Sequence, residues 1–235
     1  MKKELAFVVP AFNPHENWHE ILVTRFLEIQ THIPFFQFHL YIVNDGSSVP
    51  ISKESIQYIQ REIPNASYLT YEHNQGKGHA LRYGVSHAKE EYVLYTDIDI
   101  PYTSASIIKL LELLPQHDVV MAIKNEKYYQ YLTPQRRFIS KSLQFCIRLL
   151  FRKLPTADTQ CGLKAMNAKG KEQFVATTIE RYLFDLEFVY LAAKNNLDIH
   201  TFAVELREGI LFRKMDKKIL LQELQNLGRL LMKRN

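Results

Sequence analysis

Asp97 and Asp99 are separated by a single residue, directly after an apolar run at residues 92–95 and shortly before Pro101. Alternate residues leaving a strand aim both carboxylates at one point when the chain turns, and Pro101 favours a turn. Two hard oxygen ligands suit Mg²⁺ or Mn²⁺, which keep coordination positions open for substrate phosphates. Two exposed acids capping a helix that begins near residue 104 would satisfy the same pattern, because a helix N-terminus favours negative charge. The pair therefore predicts a metal site only in combination with other signals.

Two further polar segments follow predicted strands. Residues 74–78 (Asn-Gln-Gly-Lys-Gly) carry two glycines that permit close backbone approach and Lys77, which can neutralise a phosphate. This segment is too short for a nucleoside-triphosphate P-loop and lacks its Lys-Ser/Thr ending. Residues 44–48 (Asn-Asp-Gly-Ser-Ser) include Asp45, whose carboxylate can accept the ring N–H of a base. Each segment is also compatible with an ordinary turn.

Strands alternate with helices in the first half of the chain. Apolar runs predict strands at 5–9, 38–43, 68–71, 92–95 and 118–123. Helical spacing of apolar residues predicts helices at 16–30, 52–61, 78–89 and 104–114. This alternation predicts an α/β fold with a largely parallel sheet and right-handed crossovers. Ligands bind outside the carboxyl ends of such strands, so Asn13, Asp45, Asp97 and Asp99 are expected at one edge.

Positive charge is concentrated in the second half of the chain. The net charge is +5, but residues 124–153 hold eight Lys or Arg against one acid, and residues 206–235 hold eight against three. The remainder therefore carries a net charge of −7. Amphipathic helices are predicted from about Pro134 to Lys153 and again after about residue 215. Their basic and aromatic residues favour contact with an anionic bilayer, and a core-packed helix with a solvated basic face is the alternative.

The remaining sequence features limit the class of protein. Cys146 and Cys161 cannot form a disulfide framework, and no apolar run approaches the roughly 20 residues needed to cross a bilayer. The apolar stretch that ends at Pro10 is too brief for a signal-peptide core. We therefore expect a cytoplasmic protein, peripheral on the inner face of a membrane. No internal repeat or low-complexity linker divides the chain, so one domain is expected.

Taken in order, these segments resemble glycosyltransferase family 2, the inverting nucleotide-sugar transferases of the GT-A fold. The matching segments are 8–13 (Val-Val-Pro-Ala-Phe-Asn), 43–48, 74–78 and 96–99. Residues 158–164 (Asp-Thr-Gln-Cys-Gly-Leu-Lys) and 184–187 (Phe-Asp-Leu-Glu) are similar to the branch that makes dolichyl- or polyprenyl-phosphate glucose and mannose. The resemblance covers roughly residues 5–206.

The resemblance implies a Rossmann-like, mostly parallel sheet flanked by helices, with a C-terminal amphipathic helix. It implies a single domain over residues 1–235. Residues 1–123 would form its nucleotide-sugar-binding half, 124–206 its acceptor-binding half and 207–235 a basic amphipathic tail.

The resemblance also assigns site residues. The residues implied for nucleotide-sugar binding are Pro10, Ala11, Asn13, Asp45, Gly76, Lys77 and Asp97. Asp97 and Asp99 would hold the metal, with Asp99 the more direct ligand. The residues implied for the acceptor phosphate are Arg136 and Ser140, in an Arg-x-x-x-Ser arrangement, with the adjacent Arg137.

The catalytic set is completed by two more carboxylates. The implied catalytic residues are Asp97, Asp99, Asp158 and Asp185, of which Asp158 and Asp185 are the candidates for a base or for orienting Arg136. Structural salt-bridge roles are the alternative for Asp185 and Glu187, which lie in a predicted helical stretch.

The implied reaction is transfer of a hexose from a nucleotide sugar to a polyprenyl or dolichyl phosphate, with Mg²⁺ or Mn²⁺ as cofactor. UDP-glucose is favoured as donor and GDP-mannose stays open. One alternative is transfer to a saccharide hydroxyl in cell-surface glycan assembly, which requires a positioned carboxylate as base. A non-catalytic nucleic-acid-binding domain is suggested only by positive charge and ranks last. The implied partners are the nucleotide sugar, the lipid or glycan acceptor, an anionic membrane and, optionally, a membrane protein.

Overall fold

The computed structural model describes residues 2–210, 223, 226–228 and 230–232. Its strands are β1 (Lys3–Ala11), β2 (Phe36–Asp45), β3 (Ala66–Tyr71), β4 (Tyr92–Tyr95), β5 (Val119–Lys124), β6 (Lys164–Met166) and β7 (Ile199–Val204). Its helices are α1 (Trp18–His32), α2 (Lys53–Glu62), α3 (Lys77–His87), α4 (Ser104–Leu113), α5 (Glu126–Gln130), α6 (Pro134–Leu150), α7 (Ala168–Val175) and α8 (Phe184–Lys194).

The strands form one seven-stranded sheet in the order β3-β2-β1-β4-β6-β5-β7. The pairs β1/β2, β2/β3, β1/β4 and β5/β7 are parallel. The short strand β6 is antiparallel to both of its neighbours, β4 and β5. The predicted, largely parallel sheet is therefore confirmed, with all five predicted strands present. Two strands were not predicted from the sequence: β6, which separates β4 from β5, and β7.

Helices cover both faces of the sheet. The side chains of β1 are apolar on both faces, and each face is buried under helices. Leu5, Phe7 and Val9 face a core shared with α1 and α4, and Ala6 and Val8 face a core shared with α3, α7 and α8. The helix α3 lies directly on the sheet at Gly84, where an added Cβ would lie 2.6 Å from a methyl group of Val8. Close packing on both faces fixes the strand ends that carry the site.

The basic second half contains the predicted amphipathic helix. α6 begins at Pro134, as expected, and ends at Leu150, three residues before the predicted end. The helix predicted after residue 215 lies largely outside the described residues. Within the described part of the chain, no helix combines the length and apolar character needed to span a bilayer.

Candidate active site

The loops after β1 and β2 are hydrogen-bonded to each other at the carboxyl edge of the sheet. The backbone N–H of Asn13 donates to Ser47 Oγ at 3.0 Å, and its side-chain amide donates to Ser48 Oγ at 2.9 Å. The backbone N–H of Val49 donates to Asn13 Oδ1 at 3.2 Å. The structure therefore brings Asn13 and the 44–48 turn together, as the sheet topology predicts.

Asp45, the last residue of β2, holds the loop that leads into α3. Its carboxylate is 3% exposed and accepts hydrogen bonds of 2.7–3.2 Å from the Tyr71 hydroxyl, the Asn74 amide and the backbone N–H groups of Gln75 and Gly76. These donors occupy both carboxylate oxygens. Asp45 thus fixes the 74–76 backbone, and its contact with a base stays a prediction.

Lys77 and Asp97 form an ion pair at the same edge. Lys77 is the first residue of α3, and its Nζ lies 2.6 Å from Oδ1 of Asp97. Burial disfavours the ammonium ion, but the Asp97 and Asp185 carboxylates outweigh this effect and raise the Lys77 pKa. Gly76, with φ of 108°, makes the turn that brings Lys77 into position, a backbone conformation that L-residues rarely adopt. A cation therefore faces the predicted metal ligand.

Gly162 lies directly against this ion pair. A Cβ at this position would lie 2.7 Å from Asp97 Oδ2, 3.3 Å from Lys77 Nζ and 3.3 Å from the Tyr102 hydroxyl. The preceding residue, Cys161, is fully buried, which raises its thiol pKa to about 11. Gly162 is therefore needed to leave the Asp97 carboxylate its space, and the Cys161 thiol stays neutral.

The turn after Asp97 is held by a residue that was not predicted from the sequence. Arg207 follows β7, and its guanidinium donates to the carbonyl oxygens of Asp99 at 2.7 Å and Ile100 at 2.8 Å. Ile100 has a φ of 41°, which is costly for a β-branched residue. Contacts with backbone carbonyls leave no sequence signal, so this role of Arg207 was visible only in the structure.

Asp97 and Asp99 fit a divalent cation of the Mg²⁺ or Mn²⁺ type. Asp97 is partly exposed, and the pKa of Asp99 is raised by loss of hydration and by the charge of Asp97. No cluster of three or more His, Cys, Asp or Glu residues suited to a metal occurs in the described part of the chain. Two carboxylates suit an ion that takes its remaining ligands from water and substrate phosphates.

Asp158 is buried beside β5. Its carboxylate accepts a hydrogen bond from the backbone N–H of Lys124 at 2.5 Å and pairs with Lys124 Nζ at 2.8 Å. Burial lowers the Lys124 pKa, and the Asp158 charge more than compensates, so the net shift is upward. Asp158 is thus already engaged with a cation.

The two carboxylates of α8 are buried as well. Asp185 Oδ1 accepts hydrogen bonds from Lys164 Nζ and the Tyr95 hydroxyl, each at 2.6 Å. Glu187 accepts the backbone N–H groups of Thr178 and Ile179, each at 2.7 Å. In this structure, Asp185 therefore makes the salt bridge that was the alternative to a catalytic role.

A family model for glycosyl transferase family 2 matches residues 6–173, which is well over half of the chain. The chain belongs to this family. It is therefore a glycosyltransferase, and the predicted family resemblance is confirmed.

Curated relatives of this family 2 chain include dolichyl-phosphate beta-glucosyltransferases. The protein of Dictyostelium discoideum is 26% identical over 217 residues, which are 87% of this chain and 66% of that protein. The mouse (Mus musculus) protein is 27% identical over 220 residues, 88% of this chain and 68% of that protein. This chain thus spans about two thirds of the length of these relatives.

Solved structures confirm the GT-A fold. Glucosyl-3-phosphoglycerate synthase of Mycobacterium tuberculosis superposes with a TM-score of 0.65 at 14% identity, covering 93% of this chain and 75% of that chain. The mannosyltransferase PcManGT of Pyrobaculum calidifontis, in complex with GDP-Man and Mn²⁺, superposes with a TM-score of 0.55 at 15% identity, covering 89% and 59%.

In this family 2 domain, the predicted acceptor residues lie at the start of α6. Ser140 Oγ lies 3.2 Å from the Tyr129 hydroxyl, which also accepts a hydrogen bond from Gln144 at 2.7 Å. Tyr128 is buried, and its pKa is raised by burial and by charges that include Asp97 and Asp158, whereas Arg136 lowers it. The charges of Arg136, Asp97 and Asp158 therefore all act on the Tyr128 hydroxyl.

The outer face of α6 is apolar and basic. Phe138 is 73% exposed and Phe145 is 68% exposed. A surface groove of about 510 Å³ runs along this face and is lined by Pro134, Arg137, Phe138, Lys141, Ser142, Phe145 and Cys146. Exposed phenylalanines flanked by cations are typical of a surface that meets a lipid headgroup layer.

Proposed function

We propose that this chain transfers glucose from UDP-glucose to a polyprenyl phosphate of the dolichyl type at a membrane surface, with inversion at the anomeric carbon. The observation that carries the proposal is the match to dolichyl-phosphate beta-glucosyltransferases over 87–88% of this chain. The geometry supports it, because a carboxylate pair, a lysine and a basic helix converge on the expected edge of the sheet.

The donor would bind at the carboxyl ends of β1, β2 and β4. We assign Pro10, Ala11 and Asn13 to the nucleotide pocket, together with Asp45, which fixes the adjoining 74–76 backbone. Gly76 and Lys77 would meet the ribose and phosphates, since the Lys77 ammonium lies at the N-terminus of α3, where anions are stabilised. These residues form the nucleotide-sugar-binding half, residues 1–123.

Asp97 and Asp99 would hold Mg²⁺ or Mn²⁺. Among solved structures that share the fold, the M. tuberculosis synthase is in complex with Mn²⁺ and UDP. A divalent ion bound there supplies positive charge for the diphosphate leaving group. Lys77 would exchange its bond with Asp97 for a phosphate oxygen and so stabilise the same developing charge.

The acceptor chemistry explains why the buried carboxylates need not act as bases. A phosphate monoester has a second pKa near about 6 and is already an anionic nucleophile at neutral pH. Its oxygen would form the new bond to the anomeric carbon as the bond to UDP breaks. What it requires is cationic positioning, which we assign to Arg136, Arg137 and the hydroxyl of Ser140.

The α6 face would bring the acceptor to the site. Its exposed Phe138 and Phe145 would enter the headgroup layer, and its flanking cations would face anionic lipid. We therefore propose peripheral attachment to the inner face of a membrane, with residues 124–206 as the acceptor half and 207–235 as a basic tail.

A transfer assay tests the proposal. Purified protein is incubated with labelled UDP-glucose or GDP-mannose, Mn²⁺ or Mg²⁺, and either dolichyl phosphate, undecaprenyl phosphate or a soluble oligosaccharide. We expect labelled lipid from UDP-glucose and a polyprenyl phosphate only. Transfer to the oligosaccharide instead would establish the hydroxyl-acceptor alternative, and turnover of GDP-mannose alone would reassign the donor.

A further inference from the structure

A buried ion pair lies beneath the candidate active site. Lys164, in β6, has no solvent-exposed surface, and the Asp185 side chain, in α8, is 5% exposed. Lys164 Nζ lies 2.6 Å from Asp185 Oδ1, which also accepts the Tyr95 hydroxyl at 2.6 Å. A buried pair of charges is costly to desolvate, so it adds little net stability compared with apolar packing. Its presence beside the site calls for a role other than stability.

The pair is connected to the ion pair of the site through two consecutive residues. Lys164 Nζ donates a second hydrogen bond, of 2.6 Å, to the carbonyl oxygen of Cys161. The next residue, Gly162, is so close to Asp97 that an added Cβ would lie 2.7 Å from its Oδ2. The position of the 161–162 backbone therefore determines how much space the Asp97 carboxylate has.

We propose that Asp185 and Lys164 are positioning residues, whose buried ion pair holds the 161–162 backbone against Asp97 and so fixes that carboxylate for the donor nucleotide. Asp185 then holds Lys164 in place, in addition to favouring the charged form of Lys77, and does not act as a base. Its oxygen is shared between Lys164 and Tyr95 inside the core, whereas a base must reach the proton that it removes. The consequence for the donor rests on the proposed function, but the hold on the backbone does not.

Three variants separate this role from a purely structural one. Lys164→Met and Asp185→Asn each leave one partner of a buried pair, so both are expected to lower thermal stability. The double variant leaves no uncompensated charge and is expected to recover most of that stability. It still lacks the donor to the Cys161 carbonyl, so the 161–162 backbone stays released. Stability and positioning are thereby uncoupled.

The first readout needs no substrate. Hydrogen–deuterium exchange of peptides covering residues 159–163 is expected to be faster than in the wild type in Lys164→Met and in the double variant, because both lack the donor to the Cys161 carbonyl. It is also expected to be faster in Asp185→Asn, because Lys164 then loses the carboxylate that holds it in place. Glu90→Gln serves as the matched control. Glu90 is a buried carboxylate that accepts the Tyr41 hydroxyl at 3.1 Å, but it precedes β4 and so lies at the opposite edge of the sheet. This control is expected to lower stability without changing exchange at 159–163.

The second readout is calorimetric binding of UDP in the presence of Mn²⁺. We expect the dissociation constant to rise about tenfold in the single variants and in the stability-restored double variant, and to be unchanged in Glu90→Gln.

Three results would overturn the proposal. The first is recovery of UDP affinity together with stability in the double variant, and the second is unchanged exchange at 159–163. The third is turnover that falls at least 100-fold in Asp185→Asn alone while UDP affinity is unchanged, which is the behaviour of a base. A wild type that binds no UDP would contradict the donor site of the proposed function, while exchange at 159–163 would still decide the hold on the backbone.

Discussion

The ammonium group of Lys77 lies 2.6 Å from Oδ1 of Asp97, so the predicted phosphate ligand and the predicted metal ligand are bonded to each other. The two residues are 20 positions apart and reach each other because α3 and β4 both place an end at the same edge of the sheet. Within the pair, the opposite charges of Lys77 and Asp97 neutralise each other. We expect a metal-bound diphosphate to separate it, since each partner then gains a more highly charged ligand.

Replacement of the lysine tests this exchange. Lys77→Met keeps the length and apolar stem of the side chain but removes the charge. A charge-assisted hydrogen bond is worth about 1.5–3 kcal/mol, so we expect UDP affinity in the presence of Mn²⁺ to fall by about 10- to 100-fold. Titration calorimetry measures the change. Lys169→Met, at an exposed lysine of α7, is the control. An equal loss of affinity in both variants would show that UDP binding depends only on the net charge of the protein.

A single methyl group at Gly162 is expected to inactivate the site. In Gly162→Ala the new Cβ meets Asp97 Oδ2 at 2.7 Å, closer than real Cβ contacts, so the carboxylate must move. We expect donor kcat/KM to fall at least tenfold with the fold intact by circular dichroism. Gly228→Ala is the matched control because no atom of the described part of the chain lies within 4 Å of that Cβ, and it should retain full activity. Wild-type activity in Gly162→Ala would refute the close packing on Asp97.

The sequence predicted which edge of the sheet carries the site, but it did not predict the tertiary contacts that hold the site residues. Parallel strands bring their carboxyl ends to one edge, so predicting the strands and their parallel arrangement was enough to bring the residues after β1, β2 and β4 together. The strand β6 was not predicted because it is three residues long and contains Lys164, whose charge is paired in the core by Asp185, 21 positions away. The hydrogen bond from Arg207 to the Asp99 carbonyl oxygen could not be predicted either, because every residue has a backbone carbonyl. Partners brought together by tertiary structure leave no local pattern.

Loss of Arg136 is expected to affect the acceptor and spare the donor. Arg136→Ala removes a guanidinium that is suited to two-pronged contact with a phosphate. We expect the KM for a detergent-dispersed polyprenyl phosphate to rise about 10- to 100-fold, with the KM for UDP-glucose within twofold of the wild type. Steady-state kinetics with each substrate varied in turn measure both values. Arg61→Ala, at an exposed arginine of α2, is the control. A selective change in the donor KM would contradict the acceptor assignment.

The exposed phenylalanines of α6 are expected to govern membrane attachment. Burial of a phenylalanine side chain contributes about 1.5–3 kcal/mol, so Phe138→Ser with Phe145→Ser should weaken vesicle binding by at least tenfold. Co-sedimentation with vesicles containing anionic lipid measures the binding.

A second double variant controls for the loss of exposed apolar surface in general. Ile21→Ser with Val175→Ser changes two exposed apolar residues on other helices and should bind vesicles like the wild type. Equal vesicle binding by both double variants would contradict the assignment of α6 to the membrane-binding surface.

The most direct measurement is glucosyl transfer from UDP-glucose to a polyprenyl phosphate by the wild type and by Asp99→Asn, each with Mn²⁺ and after chelation by EDTA. We expect labelled lipid from the wild type with Mn²⁺, a loss of at least 100-fold on chelation that added Mn²⁺ reverses, and a comparable loss in Asp99→Asn. Transfer that persists in Asp99→Asn, or that is indifferent to chelation, would contradict a metal-assisted site at Asp97 and Asp99.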